Sequence, residues 1–139
     1  MELRINEYLF TDDASKVDID RVVLLLHGTY WAEKRERSAI EQSIQNSLCF
    51  SVFHNDLQIG FARAVSDCTI YTLILDVVIA SEFQKQGIGK KLIDFMTSHP
   101  ALANTSQVLW TKDAQSFYGL FGFKEESSFS VMFKRPQCK

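Results

Sequence analysis

Between Thr69 and Ile79 apolar side chains fall on both alternating faces of the chain. Tyr71, Leu73, Leu75, Val77 and Ile79 make one face; Ile70, Thr72, Ile74, Asp76 and Val78 make the other. A strand that is apolar on both sides is covered on both sides, so this segment reads as a central strand. After a glycine-bearing break, Ile88, Leu92, Ile93 and Met96 recur on one helical face, and Pro100 follows where that helix should stop. Upstream, Cys49 to His54 and Leu57 to Val65 read as two strands joined at the turn signal Asn55-Asp56. In the second of these, Ile59, Phe61, Arg63 and Val65 share one face. Gly60, Ala62 and Ala64 share the other, where small side chains admit a closely packed helix.

Asp18 and Asp20 ahead of Val22, Val23, Leu25 and Leu26 predict a first helix that ends at His27-Gly28. Thr29 is placed to cap a second helical region, in which Ile40, Ile44 and Leu48 recur every four residues. Glu2 to Tyr8 reads as a short edge strand. A strand over 107–110, a helix over 113–121 and a last strand near Phe129 to Lys134 complete the order. Strands and helices interleaved in this way predict a mixed α/β (α+β) sheet with helices on both faces.

The chain's 139 residues suffice for one domain with its own core. A net charge of −2 gives no electrostatic footprint for nucleic acid. Cys49, Cys68 and Cys138 are odd in number and widely spaced, and His27, His54 and His99 are scattered, so neither a metal site nor a disulfide framework is expected. No apolar run reaches membrane-spanning length, the opening Met1-Glu2-Leu3-Arg4 lacks a leader pattern, and a reducing cytoplasm is the expected compartment.

The break between central strand and helix is Gln84-Lys85-Gln86-Gly87-Ile88-Gly89. A strand that turns through such a loop into a helix leaves main-chain N–H groups unpaired at the positive end of the helix dipole, which makes an anion site. Gly87 and Gly89 let a phosphate approach the backbone, and Lys85, Lys90 and Lys91 add positive charge. A metal-dependent nucleotide loop would need Ser or Thr after Gly-Lys; here Gly89-Lys90 is followed by Lys91.

This Gln-x-x-Gly-x-Gly loop resembles the coenzyme-A pyrophosphate loop of the GNAT superfamily of N-acetyltransferases. Downstream, Ala114, Phe117-Tyr118 and Gly122-Phe123 stand at the offsets of that family's second signature, after the strand-like Gln107-Val108-Leu109-Trp110. The resemblance covers residues 70 to 133 by motif and the N-terminal third by general pattern. It departs from the family at Ser81, where proline is common, at Lys85, where glycine is common, and at Thr111, where asparagine is often found. The resemblance implies one GNAT-like domain over residues 1–139, with a mostly antiparallel sheet splayed at the strand that binds coenzyme A (CoA). It implies acetyl-CoA as co-substrate, no metal, and direct transfer of acetyl to a primary amine in a ternary complex. The expected partner is a small-molecule amine, with no nucleic acid and no membrane. Dimers are common among proteins of this kind, so a homodimer is compatible. The alternative is a non-catalytic CoA-binding regulatory module on the same fold.

Residue by residue, the resemblance assigns the pantetheine arm to the main chain of Val77, Val78 and Ile79, with an N–H near Val78 facing the thioester carbonyl. It assigns the diphosphate to Gln84, Lys85, Gln86, Gly87, Ile88, Gly89 and Lys90, and a pantetheine contact to Thr111. Tyr118 is the expected general acid toward the departing thiolate. Asp76, set between Leu75 and Val77, is the carboxylate that could accept the amine's proton; contact with substrate and a structural role, such as holding an arginine, remain equally open. Glu82 is expected to be solvated. The acceptor pocket belongs to the first two helices and their loop, hence Tyr30, Trp31 and Arg35, with Trp31 and Arg35 on one helical face at i and i+4. Cys68 lies outside both signatures and is expected to be a buried or inert thiol.

Overall fold

The structure, a computed structural model, describes residues 1–137. Six strands form one sheet in chain order: β1 (Glu2–Ile5), β2 (Tyr8–Thr11), β3 (Leu48–His54), β4 (Leu57–Ser66), β5 (Tyr71–Ile79) and β6 (Ser106–Val108). All neighbours are antiparallel except β5 and β6, which run parallel. The helices are α1 (Ile19–His27), α2 (Arg37–Gln45), α3 (Ile88–Thr97) and the short α4 (Gln115–Gly119). α3 packs on one face of the sheet, where Leu92, Ile93 and Met96 meet Phe10, Phe50, Val52, Ala62, Ala64 and Ile74. α1 and α2 cover the other, where Val22, Leu26, Ile40 and Ile44 enclose Cys49 and Phe61. The small residues of β4 thus admit α3, while its bulky face meets α1 and α2.

Several local expectations change; Leu48, read with Ile40 and Ile44 on one helical face, opens β3 instead. The N-terminal segment is a hairpin rather than one edge strand, because Asn6 takes the left-handed region (φ 54) that turns β1 into β2. Thr29 does not begin a helix. Its hydroxyl donates to the Leu26 carbonyl and accepts the Ala32 N–H, which holds residues 29–34 in turns, and α2 starts only at Arg37. β5 starts at Tyr71 rather than Thr69, since the Asp67 carboxylate takes the N–H groups of Thr69, Ile70 and Tyr71 and keeps them in the turn. The segment near Phe129 to Lys134 has the alternation of a strand but no strand partner among the described residues. Its apolar side chains stand in solvent, Phe129 at 78% and Met132 at 89% exposure; apolar patterning without a paired edge does not make a strand. Among the described residues no helix is long and apolar enough to cross a membrane.

Candidate functional site

The site begins with a defect in β5. Phe61 of β4 faces Val78 and Arg63 faces Leu75, so β5 carries one residue more than β4 between these pairs. Asp76 takes up the excess with φ 57, a left-handed conformation that Asp tolerates better than most residues. On its other side β5 pairs with β6 only over Tyr71, Thr72 and Leu73. The remainder of β5, including Val77, Val78 and Ile79, therefore borders an opening between the two strands.

Beyond Ile79 the chain makes a single 3-10 turn (Ser81–Phe83) and then the glycine loop. Lys85 (φ 65) and Gly87 (φ 80) are both left-handed, and Gly87 precedes the first residue of α3. Among the described residues, no acceptor takes the main-chain N–H groups of Lys85, Gln86, Gly87, Ile88, Gly89 or Lys90. The loop borders a cavity of about 300 Å³ lined by Ile79, Gln84, Lys85, Gly87, Gly89, Lys90 and Phe117. A Cβ on Gly89 would lie 3.7 Å from the Phe117 ring and 3.8 Å from the Ile79 side chain, so glycine keeps the cavity open there. The two glutamines shape the loop with their side chains. Gln84 Nε2 donates to the Ile79 carbonyl (2.9 Å), while Gln86 accepts from the Tyr8 hydroxyl (3.3 Å) and donates to the Glu82 carbonyl (3.4 Å). Ile88 sends its side chain into the core and leaves its N–H at the helix start. Together these groups form a cationic, donor-rich cradle that fits a diphosphate.

Across the cavity stands α4. Tyr118 packs between Phe117 (5.1 Å between ring centres) and Phe123 (5.9 Å). Burial raises its hydroxyl above the ordinary tyrosine value, and Tyr30 nearby adds to the rise. The hydroxyl thus stays protonated at neutral pH, and it has no hydrogen-bond partner among the described residues. Thr111 accepts the Ala114 N–H (3.1 Å) and steers the chain into α4.

Asp76 is the knot of the site. Its carboxylate accepts from Trp31 Nε1 (3.1 Å), Arg35 Nη1 (2.8 Å) and Arg63 Nε (2.6 Å), and its side chain is 2% exposed. Arg63 Nη1 goes on to the Ser47 hydroxyl (3.2 Å). Of the three roles left open by its place in the strand, this geometry matches the anchoring of arginines. Two guanidinium groups and an indole already occupy three of the carboxylate's acceptor directions. Trp31 and Arg35 do not share a helical face, since residues 29–34 form turns; they converge because both reach Asp76. Beside them the Tyr30 ring meets Trp31 edge to face at 5.1 Å, and Lys112 Nζ stands 4.7 Å above it.

Arg63, Ser47 and Lys112 are site residues that sequence reasoning did not single out. Arg63 alone gave a signal, as a charge on an otherwise apolar strand face. Glu82 accepts from its neighbour Ser81 at the surface. Cys68 is exposed rather than buried, at φ 60 in the turn before β5. Cys49 is the buried thiol, pushed up to about 11 by burial. Among the described residues no group of three His, Cys, Asp or Glu side chains converges to hold a metal.

Residues 45–125 match the family model described as the acetyltransferase (GNAT) domain. Over 125 residues the chain is 31% identical to an uncharacterized N-acetyltransferase of Gracilaria tenuistipitata var. liui, covering 86% of this chain and 68% of the relative. Over 137 residues it is 37% identical to an uncharacterized N-acetyltransferase of Pyropia yezoensis, covering 93% and 78%. A solved structure from Xanthomonas campestris pv. campestris, described as a candidate acetyltransferase belonging to the GNAT family, aligns with a TM-score of 0.86 at 28% identity, covering 94% of this chain and 96% of that one.

Proposed function

The chain belongs to the GNAT acetyltransferase family, and from that premise we propose that it moves an acetyl group from acetyl-CoA directly to the primary amine of a small molecule. One observation carries the reading: among the described residues the N–H groups of Lys85 to Lys90 have no acceptor, and Lys85, Gly87, Gly89 and Lys90 of this loop line the cavity beside the opening in β5.

In this mechanism the loop N–H groups and the Lys85 and Lys90 side chains hold the diphosphate. The main chain of Val77 to Ile79, free of β6, pairs with the pantetheine arm and brings the thioester to the bulge. There a main-chain N–H near Val78 donates to the thioester carbonyl as its oxygen gains charge; one such donor is worth about 3 kcal/mol of barrier. The neutral amine attacks the carbonyl carbon, a C–N bond forms, and the C–S bond breaks as the tetrahedral intermediate collapses. Tyr118, kept protonated by its burial, gives its proton to the departing thiolate. The proton lost by the amine leaves through water, because Asp76 is committed to Arg35 and Arg63. Much of the acceleration then comes from holding amine and thioester in line.

No covalent acyl-enzyme enters this scheme. Cys49 is buried and its thiolate is scarce at neutral pH. Cys68 lies before β5, a strand's length, about 25 Å, from the loop that follows Ile79.

The test is a screen of primary amines with acetyl-CoA, following free thiol, beside calorimetry of acetyl-CoA binding. Thiol release that depends on one amine class supports the enzyme. Tight acetyl-CoA binding with no release for any amine would assign a regulatory CoA-binding module instead.

A further inference from the structure

The charges around Asp76 carry a second conclusion, which rests on the acyl-transfer reading above. We infer that the acceptor is an amine bearing an anionic group, a carboxylate or a phosphate, on the same molecule. Contacts run continuously from Lys112 to Tyr30 (4.7 Å), Tyr30 to Trp31 (5.1 Å), Trp31 to Asp76 (3.1 Å) and Asp76 to Arg35 (2.8 Å). This line ends at the bulge, one residue before the segment that takes the thioester arm.

The charges along it do not balance. Asp76 is its one carboxylate, and two guanidinium groups share it, so the knot keeps one positive charge in excess. Arg35 bonds Asp76 through Nη1; its Nε and Nη2 have no partner among the described residues, and its side chain is 28% exposed against 13% for Arg63. Lys112 forms no ion pair among the described residues. Asp113 and Glu33, neighbours in sequence, pair with neither cation. Lys112 of the β6–α4 loop thus stands over the Tyr30 ring, while Arg35 of the α1–α2 loop, held to Asp76 through Nη1, keeps its other donors without a partner among the described residues, in a chain whose net charge is −2.

A site of this sign repels polyamines and basic peptides, whose recognition requires open carboxylates. It attracts a carboxylate or phosphate, which Arg35 can bind with two parallel donors and Lys112 as a point charge. The same excess of positive charge disfavours the ammonium form of the amine and so favours the neutral nucleophile.

The experiment compares matched acceptors by thiol release: amino acids against their amides for the carboxylate arm, and phosphorylated amino alcohols against the parent amino alcohols for the phosphate arm. The expected result is at least tenfold higher kcat/KM for the anionic member of one arm, an advantage that narrows as salt is raised. Lys112→Met should raise KM for that acceptor about tenfold more than for its neutral partner, and Lys112→Glu should raise it further. Both changes lie at an exposed position, and acetyl-CoA calorimetry checks that each variant is folded. Arg35 is left in place, since its loss would strip a charge from buried Asp76. Equal or better turnover of neutral or cationic amines would overturn the inference and leave acetyl transfer standing. Absence of release from every amine, with acetyl-CoA bound, would overturn both.

Discussion

Asp76→Asn removes the charge that Arg35 and Arg63 share while keeping the side chain's volume and its tolerance of φ 57. The backbone of the bulge is therefore not the variable; the ion pairs are. Removing one partner of a buried pair costs about 3–5 kcal/mol, because the remaining charge is left uncompensated. Arg35 can turn to water but Arg63 is largely enclosed, which places the loss at the low end, about 3 kcal/mol. At roughly 2.1 cal/mol/K of unfolding entropy per residue, that is a fall in Tm of about 10 °C for 139 residues. Calorimetry or a denaturant titration reads it directly. A double-mutant cycle with Arg63→Met should show coupling, the pair costing clearly less than the sum of the single changes. Because the anchored loop carries Trp31 and Arg35, the acceptor's KM should rise while kcat falls by less than about tenfold. A general base removed in the same way would cost on the order of 10²–10⁴ in kcat. An Asn variant with unchanged Tm and a kcat reduced a thousandfold would refute the anchoring argument and restore Asp76 as the base.

Three further outcomes follow from the same geometry. Tyr118→Phe should keep acetyl-CoA affinity and lower turnover at least tenfold; turnover equal to the parent would remove Tyr118 from the reaction. Gly87→Ala meets no neighbour within 4 Å but forces an alanine to φ 80, so it should cost about 1 kcal/mol in stability and weaken acetyl-CoA binding as well. The Cys49 thiol, raised from 9.0 to about 11, is protonated in both states below pH 9; above it the unfolded chain ionises first, so stability is lost as pH rises toward 11, by about 2–3 kcal/mol. Denaturation at pH 8 and 11 should show this loss in the parent and a smaller one in Cys49→Ala; equal losses would contradict it.

The strand, glycine loop and α3 were legible because their residues answer to local demands: two apolar faces, positive φ at Gly87, a helical repeat. Tyr118 and its aromatic neighbours pack together because they lie in one short segment, and it is the family resemblance that singled Tyr118 out. The knot at Asp76 was not. Its partners lie 45, 41 and 13 residues away, and nothing local marks Trp31, Arg35 and Arg63 as sharing one carboxylate. Periodicity misled at Trp31 and Arg35, since the four-residue spacing was real but Thr29 had already bent the chain into turns. It misled again near Phe129, where alternation was present but the segment pairs with no strand among the described residues.

The surplus residue in β5 reverses parity: each side chain after it takes the side of the sheet that an uninterrupted strand would have denied it. A chain shortened by one residue between 75 and 77 would realign with β4 along its whole length and close the gap toward β6. Such a deletion should yield a protein with a more continuous ladder that no longer admits a thioester, so comparisons of relatives across this stretch should count residues before they weigh identities.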